Sequence, residues 1–198
     1  MKQVFLSRNG IEIKEVPEPI VERGKILIKN LYSCVSPGTE ISSLNSIKKN
    51  ILKKIIEKPQ VLKSLIDVLK KRGIKNTRGI VSRKLAEFYE LGYSSSGIIE
   101  KVGEGVKNFS KGDLVACSGG GFASHAEKIL VPENLVVKTK RKENLSLYST
   151  VALGSIAMHA VRRSKTSIGE TTLVVGLGFI GQITMQILRA AGVEVYGI

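Results

Sequence analysis

One glycine-spaced turn constrains this chain more than any other feature. Residues 173–181 read Leu173-Val174-Val175-Gly176-Leu177-Gly178-Phe179-Ile180-Gly181. A β-branched apolar run thus opens into G-x-G-x-x-G. A helical stripe follows (Ile180, Ile183, Ile187, Leu188, Ala191), then Gly192 and a second apolar run, Val193 to Ile198. Strand, turn, helix and strand are the opening of a dinucleotide-binding βαβ unit. In that reading Gly176 permits the tight turn and Gly178 lets backbone amides approach a pyrophosphate. Gly181 lets the helix pack closely on the strand. The first N–H groups of the helix then face the diphosphate. The expected cofactor contacts are Gly176, Leu177, Gly178, Phe179, Ile180 and Gly181. The competing reading is a glycine turn that serves packing alone. The acidic residue that usually takes the ribose hydroxyls after the second strand does not occur before Ile198, so binding of NAD or NADP is expected to be incomplete in this chain.

Charge would direct attention elsewhere if it were spread evenly. The chain has 198 residues and a formal net charge of +14. Residues 48–84 carry thirteen Lys/Arg against Glu57 and Asp67, so +11 of that total sits in one segment. The segment has three readings. One is a solvated helical face, and the second a lid or lysine cluster for an anionic substrate such as a nucleotide sugar. The third, nucleic-acid binding, is not expected, because the stretch holds no aromatic residue for stacking and no DNA-reading motif. Two cysteines, Cys34 and Cys117, are too few for a disulfide framework and too far apart for a metal pair. No apolar run is long enough to span a bilayer, and Met1-Lys2-Gln3-Val4 does not open a signal region, so cytoplasm is the expected location.

Periodicity organises the rest. Residues 1–42 read as β structure, with alternation at Ile11-x-Ile13 and Ile26-x-Ile28 and turns at Asn9-Gly10 and Arg23-Gly24; Pro17 and Pro19 mark an extended link. Residues 45–90 read as a lysine-rich helical insertion. Its stripes are Ile47, Ile51, Leu52, Ile55, Ile56, then Val61, Leu62, Leu65, Ile66, Leu69, then Ile80, Val81, Leu85, Phe88. Residues 91–140 return to strands and turns, 146–164 form a helix rich in small residues, and 171–198 form the βαβ start. There are no internal repeats.

Four ordered motifs carry a resemblance. Leu91-Gly92-Tyr93-Ser94-Ser95-Ser96-Gly97, Val102-Gly103-Glu104-Gly105-Val106, Lys111-Gly112-Asp113-Leu114-Val115-Ala116 and Gly120-Gly121-Phe122-Ala123-Ser124-His125-Ala126-Glu127 resemble, in order and spacing, the GroES-like domain of medium-chain dehydrogenases/reductases. The likeness covers about residues 1–42 and 88–198. It implies an α+β/α/β architecture. A GroES-like β-barrel domain, residues 1–150 with the 45–90 insertion, precedes a linking helix and the start of a Rossmann domain, residues 151–198. Together with Ser36-Pro37-Gly38-Thr39-Glu40, the insertion resembles a bacterial two-domain subgroup in which a Gfo/Idh/MocA-type half follows.

The resemblance also bears on the site. Zinc members hold their metal in a Cys-Gly-Thr-Asp-like turn, a Gly-His-Glu position and a later Leu-Gly-Cys position. Here these read Ser36-Pro37-Gly38-Thr39-Glu40, with Ser36 or Pro37 at the cysteine position, then Gly92-Tyr93-Ser94 and Leu153-Gly154-Ser155. None offers the donors zinc prefers, so no zinc is expected. Tyr93, Ser94 and Ser155 occupy the vacated positions and are expected to line the cleft. Tyr93 is the candidate proton donor or orienting group, Ser155 a further donor, and Thr39 matches the hydroxyl of the relatives' proton relay. For each, a structural hydroxyl is the competing reading. His125 reads as a satisfied strand or surface histidine, and His159 as a packing residue.

The expected activity is zinc-independent, NAD(P)-linked hydride transfer on a polar, sugar-like alcohol or carbonyl. The alternative is a non-catalytic scaffold module of a larger oxidoreductase. The chain is expected to be an N-terminal fragment with little turnover alone. Its partners would be a small-molecule substrate and, through parts of the nucleotide domain beyond Ile198, a second copy in a homodimer.

Overall fold

A computed structural model describes residues 1–7, 10–48, 88–140 and 142–198. Residues 49–87, most of the expected insertion, lie outside the described residues, as does Asn9. The chain divides into two compact units, Met1 with 17–34 and 92–198, and 2–16 with 35–91.

In the smaller unit, β1 (Lys2–Ser7) pairs antiparallel with β2 (Gly10–Glu15) on one side and β4 (Phe88–Glu90) on the other. Helix α1 (Pro37–Lys48) and strand β4 each correct an expectation. Residues 37–42 are helical and not β, and residues 88–90 are strand and not the end of a third helix. The start of α1 has a local cause. Proline is at home in the first helical position, and the Glu40 carboxylate accepts a hydrogen bond from the Ser36 amide at 3.2 Å.

In the larger unit, β3 (Lys25–Ser33), β5 (Ser94–Val102), β6 (Leu114–Ser118), β7 (Lys128–Pro132) and β8 (Val136–Lys138) form one antiparallel sheet in the order β7-β3-β5-β6-β8. Alternate residues of these strands, Ile26, Ile28, Ile99, Val115, Cys117, Ile129 and Val131, make its buried core. Gly24, with φ of 73°, makes the turn expected before β3.

The expected single helix over 146–164 is two. Short α2 (Leu145–Tyr148) and long α3 (Val151–Ser164) are separated at Ser149-Thr150. Strand β9 (Thr171–Val174), helix α4 (Phe179–Ala190) and parallel strand β10 (Glu194–Gly197) complete the chain's βαβ unit. Leu188, Val193 and Val195 form its small core, joined by Val161 from α3. The fold class is that of the GroES-like domain followed by the start of a nucleotide domain. Among the described residues, no helix is long and apolar enough to cross a membrane.

Candidate dinucleotide turn and substrate side

The glycine turn has the geometry its spacing predicts. Gly176 has φ of 96°, a left-handed conformation that favours glycine. Its amide donates to the Ile198 carbonyl at 2.8 Å, and the Ile198 amide donates back to Val174 at 3.1 Å, which fixes the turn to the end of β10. A Cβ on Gly181 would lie 1.9 Å from the Gly176 carbonyl oxygen, so the helix approaches the strand at backbone distance. Gly178 caps α4 without a side chain, and a Cβ there would meet nothing within 4 Å. The first amides of α4 have no partner within the helix by its geometry, and its first turn carries no acidic residue. An open space before such amides at a twelve-residue helix's positive end fits a diphosphate.

Glu194 is the one acid in residues 171–198, and it stands at the start of β10, away from the turn. Its register partner is Thr171, at the far end of the strands from the turn. Its carboxylate accepts from Tyr196 Oη at 2.7 Å and Thr171 Oγ1 at 3.1 Å, and these bonds hold its pKa below the usual value.

The expected substrate-side residues fall in both units. Thr39 lies in the first turn of α1, where its Oγ1 accepts from Ser36 Oγ at 3.3 Å. Ser36 itself is buried at the start of that helix. Tyr93 and Ser155 belong to the larger unit. Tyr93 is half-buried immediately before β5, and its carbonyl accepts from the Gly119 amide at 2.9 Å. Ser155 is exposed on α3, and its hydroxyl donates to the Ala152 carbonyl at 2.7 Å.

Ser94 corrects its expectation. It is fully buried and not a cleft residue. Its hydroxyl donates to Ser149 O at 2.5 Å and accepts from the Ala152 amide at 3.0 Å. Ser96 repeats the device, donating to Leu145 O at 2.5 Å. Together they fasten α2 and the start of α3 to β5. His159 is exposed on α3. Among the described residues, no group of three or more His, Cys, Asp or Glu side chains stands close enough to hold a metal ion.

The geometry adds a pair that sequence reading set aside. His125 Nδ1 lies 2.8 Å from Ser33 Oγ, although 92 residues separate them. No local spacing announces this contact. The glycine at position 92, with φ of 93°, was its one trace.

Comparison with known proteins agrees with this geometry. The alcohol dehydrogenase GroES-like domain family matches residues 68–141. Rat quinone oxidoreductase is 38% identical over 124 residues, covering 60% of this chain and 37% of the rat protein. The (R,R)-butanediol dehydrogenase of Bacillus subtilis is 30% identical over 135 residues, 54% of this chain and 38% of that protein. Among solved structures, a quinone oxidoreductase from Coxiella burnetii superposes with a TM-score of 0.73 at 18% identity, covering 100% of this chain and 56% of that one. The Escherichia coli quinone oxidoreductase complexed with NADPH gives 0.71 at 14% identity, with 100% and 52% coverage. The chain therefore spans about half the length of these solved structures, and its matched part little more than a third of the curated relatives.

Proposed function

We propose that this chain, whose matches support membership of the medium-chain dehydrogenase/reductase superfamily, serves an NAD(P)-dependent oxidoreductase that needs no zinc and acts on a polar carbonyl or alcohol. The observation that carries the reading is the Gly176–Gly181 cradle. A left-handed turn, a backbone-close helix and open space at Gly178 suit a diphosphate. A bound nicotinamide would supply or accept the hydride. The backbone amides of Phe179, Ile180 and Gly181 would hold its diphosphate. We divide the chain at about residue 150, with the substrate-side domain before it and the nucleotide-binding start after it.

Without a metal, charge developing on the substrate oxygen needs hydrogen-bond donors. In this reading Tyr93 donates to that oxygen, Ser155 lies on the adjoining helix as a second hydroxyl, and Thr39 belongs to a proton relay. Ser36 or Pro37, Tyr93 and Ser155 stand where zinc relatives place ligands, and none is a good zinc donor. The activity is tested by titrating the intact gene product with NADPH and NADH and following quenching of reduced-nicotinamide fluorescence. Saturable binding of either is expected; binding of neither would overturn the reading in favour of a non-catalytic module. Metal analysis tests the rest: one tightly bound zinc per chain would contradict zinc independence.

A further inference from the structure

We propose that Ser33 and His125 form a second proton-delivering pair on the substrate side, with Ser33 as a catalytic residue and His125 as the group that reloads it. The proposal rests on the oxidoreductase reading above and extends it to Ser33, outside the motifs that suggested it, and to His125, which that reading gave no chemical role.

Four features build the pair. First, His125 Nδ1 and Ser33 Oγ are 2.8 Å apart, within hydrogen-bond reach. Second, the loop that carries His125 is clamped on both sides. Asn30 Nδ2 donates to the Ser124 carbonyl at 3.1 Å and to the Ala126 carbonyl at 3.0 Å, while the Asn30 amide donates to Glu127 O at 2.9 Å. Third, the imidazole lies against the backbone of Gly92. A Cβ at that glycine would stand 2.8 Å from both the His125 amide nitrogen and Nδ1, and 2.9 Å from Cε1. No other residue at position 92 leaves the ring where it is. Fourth, the β3–β5 register shifts between Asn30 and Tyr32, immediately before Ser33. Bulges of this kind re-aim the side chains that follow them.

Topology then places the pair beside the candidate residues of the same unit. Strand β3 ends at Ser33, β5 begins at Ser94, and the two strands are antiparallel with Ser33 opposite Ser95. The Cys34 amide donates to Ser94 O at 2.9 Å. Strand β7 begins at Lys128, three residues after His125, and pairs with β3 antiparallel as well. One end of the sheet therefore gathers Ser33, Tyr93 and His125. Ser94 fastens the start of α3, the helix that carries Ser155, to that same end. Ser33 is exposed and His125 half-buried, so a ligand can reach the hydroxyl and water the histidine loop. A surface histidine with no task needs neither the Asn30 clamp nor the bare Gly92.

Protons and electrons balance across the step. As the substrate carbonyl carbon accepts hydride from a reduced nicotinamide, the C=O π pair moves onto oxygen, which takes the proton of Ser33 Oγ. The O–H bond of Ser33 breaks, and Oγ takes the Nδ1 proton of the His125 imidazolium, leaving neutral imidazole. A solvent proton restores the imidazolium. The carbonyl is reduced by two electrons and the dihydronicotinamide is oxidised by two.

The test uses 9,10-phenanthrenequinone as carbonyl probe and two readouts. The chain has two histidines, so the imidazole ¹⁵N signals of His125 are assigned by comparison with His159→Gln. Addition of the quinone should shift the His125 signals in the wild-type chain, and Ser33→Ala should abolish that response. No response, or the same response in Ser33→Ala, overturns the proposal, whether or not NADPH binds. Where NADPH and the quinone turn over, Ser33→Ala and His125→Gln should lower kcat about 100-fold with NADPH affinity unchanged, and Ser33→Thr should restore most of it. Unchanged kcat in Ser33→Ala also overturns it. Failure of the cofactor titration, by contrast, strikes the oxidoreductase reading.

Discussion

Gly178 and Gly181 stand three residues apart in one turn, yet a methyl group added at each meets different surroundings. At Gly181 it lands 1.9 Å from a backbone oxygen, which no side-chain rotation relieves. Gly181→Ala should therefore lower unfolding free energy by about 1–3 kcal/mol and weaken NADPH binding with it. At Gly178 the methyl meets nothing within 4 Å and the backbone φ of −71° suits any residue. Gly178→Ala should keep stability within about 0.5 kcal/mol while lowering NADPH affinity about tenfold. Urea midpoints and fluorescence titration separate the two; an unchanged midpoint for Gly181→Ala contradicts the packing account. The geometry of this turn, Gly176 at positive φ and Gly181 against the strand, was legible in the sequence because the turn is local, nine residues read in order. The Ser33–His125 contact was not, because a 92-residue separation leaves no spacing to read.

Cys117 belongs to the same scale. Burial pushes its thiol up to about 12, from an ordinary value of 9.0, against a smaller opposing pull from the Ser95 hydroxyl. The folded state thus holds the proton more tightly than the unfolded chain. The stability this confers is complete below about pH 9 and is lost as pH rises toward about 12. Urea unfolding at pH 8 and pH 10.5 should show the wild-type protein losing more stability than Cys117→Ala over that interval. Equal losses would contradict the burial-driven shift.

Among the elements, β5 does the most joining. Three consecutive serines, Ser94, Ser95 and Ser96, are fully buried at its start, where an apolar strand would be expected. Two of them bond backbone groups on either side of the break between α2 and α3: the Ser149 carbonyl, the Ala152 amide, and the Leu145 carbonyl, which also accepts from the Ser149 amide. Ser94→Ala orphans a buried donor and a buried acceptor together, at a cost of about 2–3 kcal/mol. Thermal unfolding checks this, and a midpoint equal to wild type would contradict it. Sequence reading found the main strands of the five-stranded sheet because their apolar runs are bounded by turn residues; Ile26-Leu27-Ile28 is buried throughout, and only Ile129-x-Val131 alternates, between buried and half-buried. It misread 37–42, where Ser36, Pro37 and Glu40 formed a legible helix start that the preceding strand pattern outweighed. It merged α2 with α3 because the small-residue run gives no periodic sign of the break. Of the joining serines, Ser94 was expected in the cleft because the resemblance set it at a vacated zinc-ligand position, whereas tertiary hydrogen bonding uses it.

For the whole molecule the open question is what a net charge of +14 does. A uniformly basic surface would concentrate polyanions around the protein and bind nucleic acid through released counterions. Here thirteen basic residues fall within 48–84, leaving the remainder of the chain close to neutral for its size. A single cluster engages a handful of phosphates, and without an aromatic platform in the segment it gains nothing from base stacking. Binding to single- or double-stranded DNA should therefore be weak and purely electrostatic. It should be detectable at about 50 mM salt, fall by at least about tenfold by about 200 mM, and be indifferent to base sequence. Fluorescence anisotropy with labelled oligonucleotides measures all three properties. A submicromolar Kd at about 200 mM salt, or a clear preference for one sequence, would mean that the lysine-rich segment reads nucleic acid, and that the molecule's charge serves a partner unrelated to the dinucleotide turn.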